Sequence, residues 1–333
     1  MKGRRAWLAL GAAAALLVAW GIRTALPPDA RADDARTGPP IAAESAGGSA
    51  ARTAPDEAGA APPMAGHAIG LPPQSTAPDV VVALLHDRAE AGDVHAACRV
   101  WIALLGCRVA AEYTRALATR ESFVPPDVPD EYLEQQDRSE LATLAYHEAC
   151  MAIPPAIHAR ADDYLTRAAR AGVTEAMLHY VDGRHLHRQK TYDWLNHPGL
   201  DAWRRDAPAM LQRLLESGTP EAVFLYLVTS DGPDFGLLAG IIPNDPERAL
   251  AYRLLLRRLS GRRDDPPGVS NSPPDRLVRA RALAASMHAR HFGDRVYSPD
   301  EITTRLASGL VPWPDTAATR TPCQDEPVPL PSR

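Results

Sequence analysis

Four histidines fall within one short stretch: His179, His185, His187 and His197. Imidazole is the commonest metal ligand and the side chain that titrates nearest neutrality, so this stretch is the first candidate for metal or acid–base chemistry. A helical ligand pair needs side chains at i and i+4, which share a face. The spacings here are six, two and ten residues, and Gly183 interrupts between the first two. His185 and His187, two apart on a helix, would point about 200° from one another. The spacing favours solvated histidines in a polar connection over a ligand set. His288 and His291, at i and i+3 beside Asp294, share a helix face. A last helical turn, whose dipole favours a cationic imidazole, accounts for them without a metal.

Other chemistry leaves little trace. The chain has no G-x-S-x-G nucleophile elbow, no G-x-G-x-x-G turn and no G-x-x-x-x-G-K-[ST] phosphate cradle. Asp162-Asp163 and Asp264-Asp265 read as solvated surface. A helical fold could carry peptidoglycan-lytic activity through one glutamate acting as acid, but no glutamate is singled out. With 36 Lys+Arg against 41 Asp+Glu, the net charge of −5 supplies no basic excess for a nucleic-acid backbone. No cofactor, metal ligand or catalytic residue is assigned. Trp101 lies among Val100, Ile102 and Leu105 and reads as core, whereas Trp313 sits between Pro312 and Pro314 in a tail.

The cysteines are Cys98, Cys107, Cys150 and Cys323, and an even count in an exported chain suggests two disulfides. Cys98 and Cys107 are nine residues apart on one helical segment, about 13 Å if it is continuous. A disulfide needs its Cα atoms within about 7 Å. That leaves Cys107–Cys150 with Cys98–Cys323, or Cys98–Cys150 with Cys107–Cys323. The first is preferred, because Cys107 and Cys150 read as lying near helix ends.

Export is itself an inference from the amino end. Lys2, Arg4 and Arg5 precede an uncharged apolar run over residues 6–22, followed at once by Arg23. The nearest A-x-A, Ala30-Arg31-Ala32, is poorly spaced for cleavage. Residues 1–23 therefore read as an uncleaved signal-anchor, with a cleaved signal peptide as the alternative. The positive-inside rule puts the amino end in the cytoplasm and the bulk of the chain in the periplasm, single-pass in the inner membrane. Residues 24–77 are Ala, Pro, Gly, Asp, Ser and Thr with almost no large apolar residue, and read as a disordered linker. Residues 311–333 read as a Pro-rich tail.

Between them, residues 78–310 read as all-α, with no alternating strand pattern. Helices are expected over 79–91, 94–105, 109–120, 130–151 with a break near Asp137, 156–171, 174–182, 187–195, 201–217, 220–229, 246–260, 274–292 and 299–308. A weak echo runs through them. RAEAGDVHA, AARAGVTEA and LLESGTPEA each close an apolar helix on a glycine, Gly92, Gly172 or Gly218, and place Ala96, Ala176 or Ala222 four residues later. Glycine reverses the chain through a left-handed conformation, and the small residue lets the next helix approach closely.

These hinges, with the Ala-Glu-Ala-Gly and Ala-Arg-Ala-Gly that precede two of them and the Asp-Pro-Glu-Arg-Ala of residues 245–249, resemble Sel-like repeats, short relatives of tetratricopeptide repeats. The hinge spacings of 80 and 46 residues depart from one fixed period, and Trp101 and Val181 stand where small residues would be expected. The resemblance implies an irregular helical-hairpin, α-solenoid-like stack and a role in binding proteins. The leading expectation is a non-catalytic, membrane-tethered periplasmic scaffold with a protein partner in the cell envelope. The alternative is an envelope enzyme or metal-handling domain using the His-rich 179–197 connection.

Overall fold

The computed structural model describes residues 70–119, 130–186, 193–230, 237–262, 269, 272–293, 295–298, 301–302 and 321–324. The described residues are helical and contain no strand. The helices are α1 (Pro78–Glu90), α2 (Val94–Thr119), α3 (Asp130–Met151), α4 (Pro155–Ala159), α5 (Ala161–Arg170), α6 (Thr174–Asp182), α7 (Leu200–Glu216), α8 (Pro220–Ser230), α9 (Pro246–Leu259) and α10 (Pro274–Met287). Short 3-10 turns lie at Arg184–Leu186, Asp193–Asn196 and Leu237–Gly240, and a π-turn at His288–Phe292 continues α10.

Packing follows chain order except that α2 meets α5, α1 touches α3 and α6 touches α8. α1 packs on α2, α5 on α6, α6 on α7, α7 on α8, α8 on α9 and α9 on α10. α2 packs on both α3 and α5, so α3 and α4 form a side branch between helices that are themselves neighbours. α2 is buried on every side from Ala96 to Cys107, the pattern of a helix enclosed by others. Val94–Ala118 is long and apolar enough to cross a membrane, with mean hydropathy 1.4 over a window of 18 residues, but 72% of that window lies inside the fold. The membrane segment expected at residues 1–23 lies outside the described residues, as does most of the linker.

The three hinges share one geometry. Gly92, Gly172 and Gly218 have φ of 99°, 90° and 75°. In each, the amide after the glycine donates to a carbonyl five residues back: Asp93 to Arg88, Val173 to Ala168 and Thr219 to Leu214, at 3.0, 3.1 and 3.0 Å. This is the 6→1 bond of a Schellman cap. Ala96, Ala176 and Ala222 are fully buried, as a close helix approach requires. Gly261 repeats the cap with φ 68° and an Arg262-to-Arg257 bond, a fourth case that the echo did not reveal. Asp93 caps α2, its carboxylate accepting from the His95 and Ala96 amides at 3.0 and 2.9 Å. Burial pushes that carboxyl up, but the two amides and Arg88 outweigh it and hold it below the usual range.

Several element boundaries differ from expectation. The helices expected over 94–105 and 109–120 are one, because Gly106 is an interior notch rather than a cap. A Cβ there would sit 2.5 Å from the Tyr146 hydroxyl and 2.9 Å from its ring carbon Cζ. Cys107 is therefore mid-helix, not near a helix end. α3 runs through Asp137 without a break. The helix expected over 156–171 is divided at Arg160, whose φ of −96° and ψ of 5° leave the helical region as its side chain turns to Glu90. At the end of α10 the Gly293 amide bonds to the His288 carbonyl, widening the last turn and placing Phe292 in the core. Residues 187–192 and 303–308, in two other expected helices, lie outside the described set.

Candidate functional site

The residues that first suggested chemistry are structural where they are described. His179 is buried and its ring lies 4.6 Å from that of Trp101, tilted by 53°. His185 is buried and stacks on Tyr180 at 4.9 Å, with the His197 ring edge-on at 6.3 Å. His197 places Nε2 3.4 Å from a carboxylate oxygen of Asp162. The expectation of solvated histidines is thus overturned for His179 and His185. The turn after Gly183 folds back on α6, and α2 supplies Trp101 from about eighty residues upstream. His187 lies outside the described residues. Among the described residues no group of three or more His, Cys, Asp or Glu is placed to hold a metal ion. His288 stacks on Phe292 at 6.4 Å, while burial and then the nearby Arg290 push the His291 imidazole pKa down.

Charged clusters join helix to helix. Tyr164 of α5 is fully buried and donates its hydroxyl hydrogen to Glu90 of α1 at 2.7 Å. His86 Nδ1 lies 3.0 Å from the same hydroxyl, so a proton on Nδ1 donates to it. Arg160 pairs with the other Glu90 oxygen at 2.7 Å, and Arg167 donates to the Ala89 carbonyl at 2.9 Å. Both guanidinium groups lie over the Tyr164 ring, at 5.7 and 5.3 Å. The Tyr164 hydrogen bond, with Arg160 and Arg167, holds the Glu90 carboxyl below its usual range. Burial first, then Glu90, pushes the Tyr164 phenol up to about 12. Farther along, buried Asp206 of α7 accepts from Arg170 of α5 at 3.2 Å, and Arg279 of α10 pairs with Glu247 of α9 at 2.9 Å.

Two disulfides, Cys98–Cys323 and Cys107–Cys150, complete this bracing. Nine residues is about 180° of helical rotation, so the two bridges leave α2 on opposite sides. One side holds the carboxyl-terminal segment, where His95 Nδ1 also lies 2.6 Å from the Cys323 carbonyl. The other holds α3. Buried Arg99, next to Cys98, donates to the carbonyls of Pro72 and Pro73 at 3.1 and 2.8 Å. Segments from both ends of the described chain are therefore fastened to one turn of α2, including residues 70–77, which composition had assigned to the linker. Trp313 lies outside the described residues.

A cleft of about 270 Å³ lies between α8 and α9, lined by Tyr226, Ser230, Ile242, Pro243, Asp245, Arg248 and Tyr252. Several of its polar groups are already engaged. Asp245 caps α9 and pairs with Arg248 at 3.4 Å, and Tyr226 donates to Gln212 at 3.1 Å. The two tyrosine rings stack on one another at 5.0 Å, which covers one face of each.

The outer surface is more informative. Eight large apolar side chains are exposed among the described residues, and five of them lie on α1 and α3, which touch. They are Val80 and Leu84 on α1, 44% and 59% exposed, and Leu141, Leu144 and Met151 on α3, at 67%, 41% and 75%. Sequence reasoning did not single out any of them. Comparison of the chain with family profiles, with characterised proteins and with solved structures finds no match.

Proposed function

We propose that this protein is a non-catalytic interaction scaffold of the cell envelope, tethered to the inner membrane by residues 1–23 and presenting an irregular stack of helical hairpins in the periplasm. One observation carries the reading: the described charged clusters and both disulfides bridge separate segments of the fold, making a braced frame whose exposed apolar side chains are concentrated on α1 and α3. Paired cysteines agree with an oxidising compartment. The resemblance of the three glycine hinges to Sel-like repeats adds the expectation of a protein partner.

The test is photo-crosslinking in intact cells, with a photoreactive residue placed singly at exposed helix positions of the full chain. The reading expects membrane-fractionated protein and discrete adducts from at least one helix face. A soluble form lacking the amino-terminal segment would replace the tether with a cleaved signal. Absence of adducts from every exposed position would remove the scaffold.

A further inference from the structure

α3 faces the wrong way for a helix stabilised by its own apolar side chains. Among its described side chains the buried ones are Thr143 and Cys150, whereas Leu141, Leu144 and Met151 look outward. A helix in water depends on burying its apolar face, so this one must be held by other means. The fastenings are visible. Tyr146 fits the notch at Gly106 and donates to the Ala103 carbonyl at 3.2 Å. Tyr113 reaches Glu140 at 3.5 Å, and Cys150 is bridged to Cys107. Covalent and polar anchors on the inner side leave the outer side free to carry apolar residues.

That outer side has an ordered composition. At 100° per residue, Leu141, Leu144, Ala145, Glu148 and Met151 fall within an arc of about 120°. The same arc carried toward the amino end holds exposed Asp130, Glu134 and Asp137 and half-buried Leu133, with exposed Arg138 about 20° and exposed Glu131 about 40° beyond it. One face of one helix is therefore mainly acidic over its first half, where Arg138 pairs with Glu134 at 3.7 Å, and carries Leu141, Leu144, Ala145 and Met151 around Glu148 over its second. α1, which touches α3, carries two further exposed apolar residues, Val80 and Leu84.

We propose that the outward face of α3 is the docking site for a basic amphipathic helix of a partner protein, its apolar side on Leu141, Leu144 and Met151 and its Lys or Arg residues opposite Asp130, Glu134 and Asp137. The proposal rests on the scaffold reading and gives it a site and a partner chemistry. Charge selects this occupant over two others. A second copy brings the same acidic half: paired parallel it sets carboxylates against carboxylates, and paired antiparallel it sets them against leucine and methionine. An anionic lipid surface is repelled by the acidic half. A helix laid on an apolar face and read through its i, i+3, i+4 and i+7 side chains is an established recognition mode.

The probe is a synthetic helix of about 18 residues, long enough to form a stable amphipathic turn pattern, with leucines at i, i+3, i+4 and i+7 and lysines gathered at one end. A control peptide carries glutamates in place of the lysines. Binding to the full-length chain is read by fluorescence anisotropy at two salt concentrations. The lysine peptide should bind and weaken as salt rises, and the glutamate peptide should not bind. Leu141→Ser with Met151→Ser should weaken binding about tenfold or more, as should Glu134→Lys with Asp137→Lys. These positions are exposed, so unchanged thermal melts confirm that both variants fold. Equal binding by wild type and both variants would overturn the proposal, as would no binding of the lysine peptide. It would also fall if the same substitutions abolished self-association or adhesion to anionic vesicles instead. Crosslinks in cells from other helix faces, with none from α3, would remove this site and leave the scaffold standing.

Discussion

Replacing Gly106 by alanine sets two effects against each other. Glycine inside a helix costs about 1 kcal/mol relative to alanine, so propensity predicts that the substitution stabilises α2 by that amount. The fold predicts the reverse. The new Cβ would lie 2.5, 2.9 and 3.0 Å from Oη, Cζ and Cε1 of Tyr146, where ordinary carbon contacts fall near 3.5–4.0 Å. The ring must move by roughly 1 Å, and it has little freedom to do so, because Cys150, one turn further along α3, is bridged to Cys107 beside Gly106. Overpacking of this kind costs about 1–3 kcal/mol, and strain on the Tyr146–Ala103 hydrogen bond adds to it. The expected net effect is destabilisation by about 1–2 kcal/mol, read as a lower denaturation midpoint under non-reducing conditions. In a Tyr146→Ala background the clash is gone, and Gly106→Ala should stabilise by up to about 1 kcal/mol. A Gly106→Ala variant more stable than wild type in the native background would refute the notch.

Further consequences follow from the caps, the bridge and the buried phenols. Gly172→Val and Gly218→Val should each destabilise by more than about 1 kcal/mol, because φ of 90° and 75° is strained for a β-branched residue; unchanged thermal midpoints would sink the cap assignment. Cys323→Ser opens a covalent loop spanning 225 residues, for which chain entropy sets an upper estimate on the order of 5 kcal/mol. Its melt should fall while a thiol at Cys98 becomes titratable on unfolding, and non-reducing peptide maps that join Cys323 elsewhere would contradict the bridge. Tyr146 and Tyr164 are both pushed up to about 12, Tyr146 by burial and Tyr164 by burial and Glu90. Above the ordinary phenol value near 10 the native state then binds more protons than the unfolded one. Stability should be complete below that pH and be lost as pH rises through 12; a full phenolate absorbance change near pH 10 with the fold intact would contradict it.

What was legible in the sequence is what is decided locally. Gly92, Gly172 and Gly218 announce themselves because a left-handed residue closing an apolar run has few chemical solutions, and Asp93 because an amide-accepting side chain fits a helix start. The histidines were misread because their surroundings are not local. Nothing near His179 foretells Trp101, and nothing in the spacing of His185 and His197 foretells that a turn brings their rings together. Gly106 was misread for a related reason. Glycine at the end of an apolar helix and glycine under an incoming ring look alike until Tyr146, forty residues away, is placed on it.

The outward face of α3 carries this reasoning furthest. Hydrophobic periodicity locates a stripe on a helix but not the side on which the protein lies. Leu141, Leu144 and Met151 have the spacing of a core-facing stripe, and on pattern alone they would be turned inward. The inner side is instead occupied by Thr143, Tyr146 and Cys150, a set with less aliphatic bulk but with a hydroxyl, a ring that fits a notch and a covalent bond. Anchors of that kind decouple the holding of a helix from the burial of its apolar face. If the Cys107–Cys150 bridge were absent, the same sequence would have reason to roll α3 by about half a turn and bury its leucines against α2. The expected outcome is that the disulfide, together with Tyr146 in its notch, sets which side of α3 faces outward as well as adding stability. The corresponding experiment is Cys107→Ser with Cys150→Ser. Loss of stability without loss of lysine-peptide binding would mean that the bridge only stabilises. Loss of binding in a protein that remains folded, with Leu141 newly protected from solvent-borne labels, would show that it sets the face.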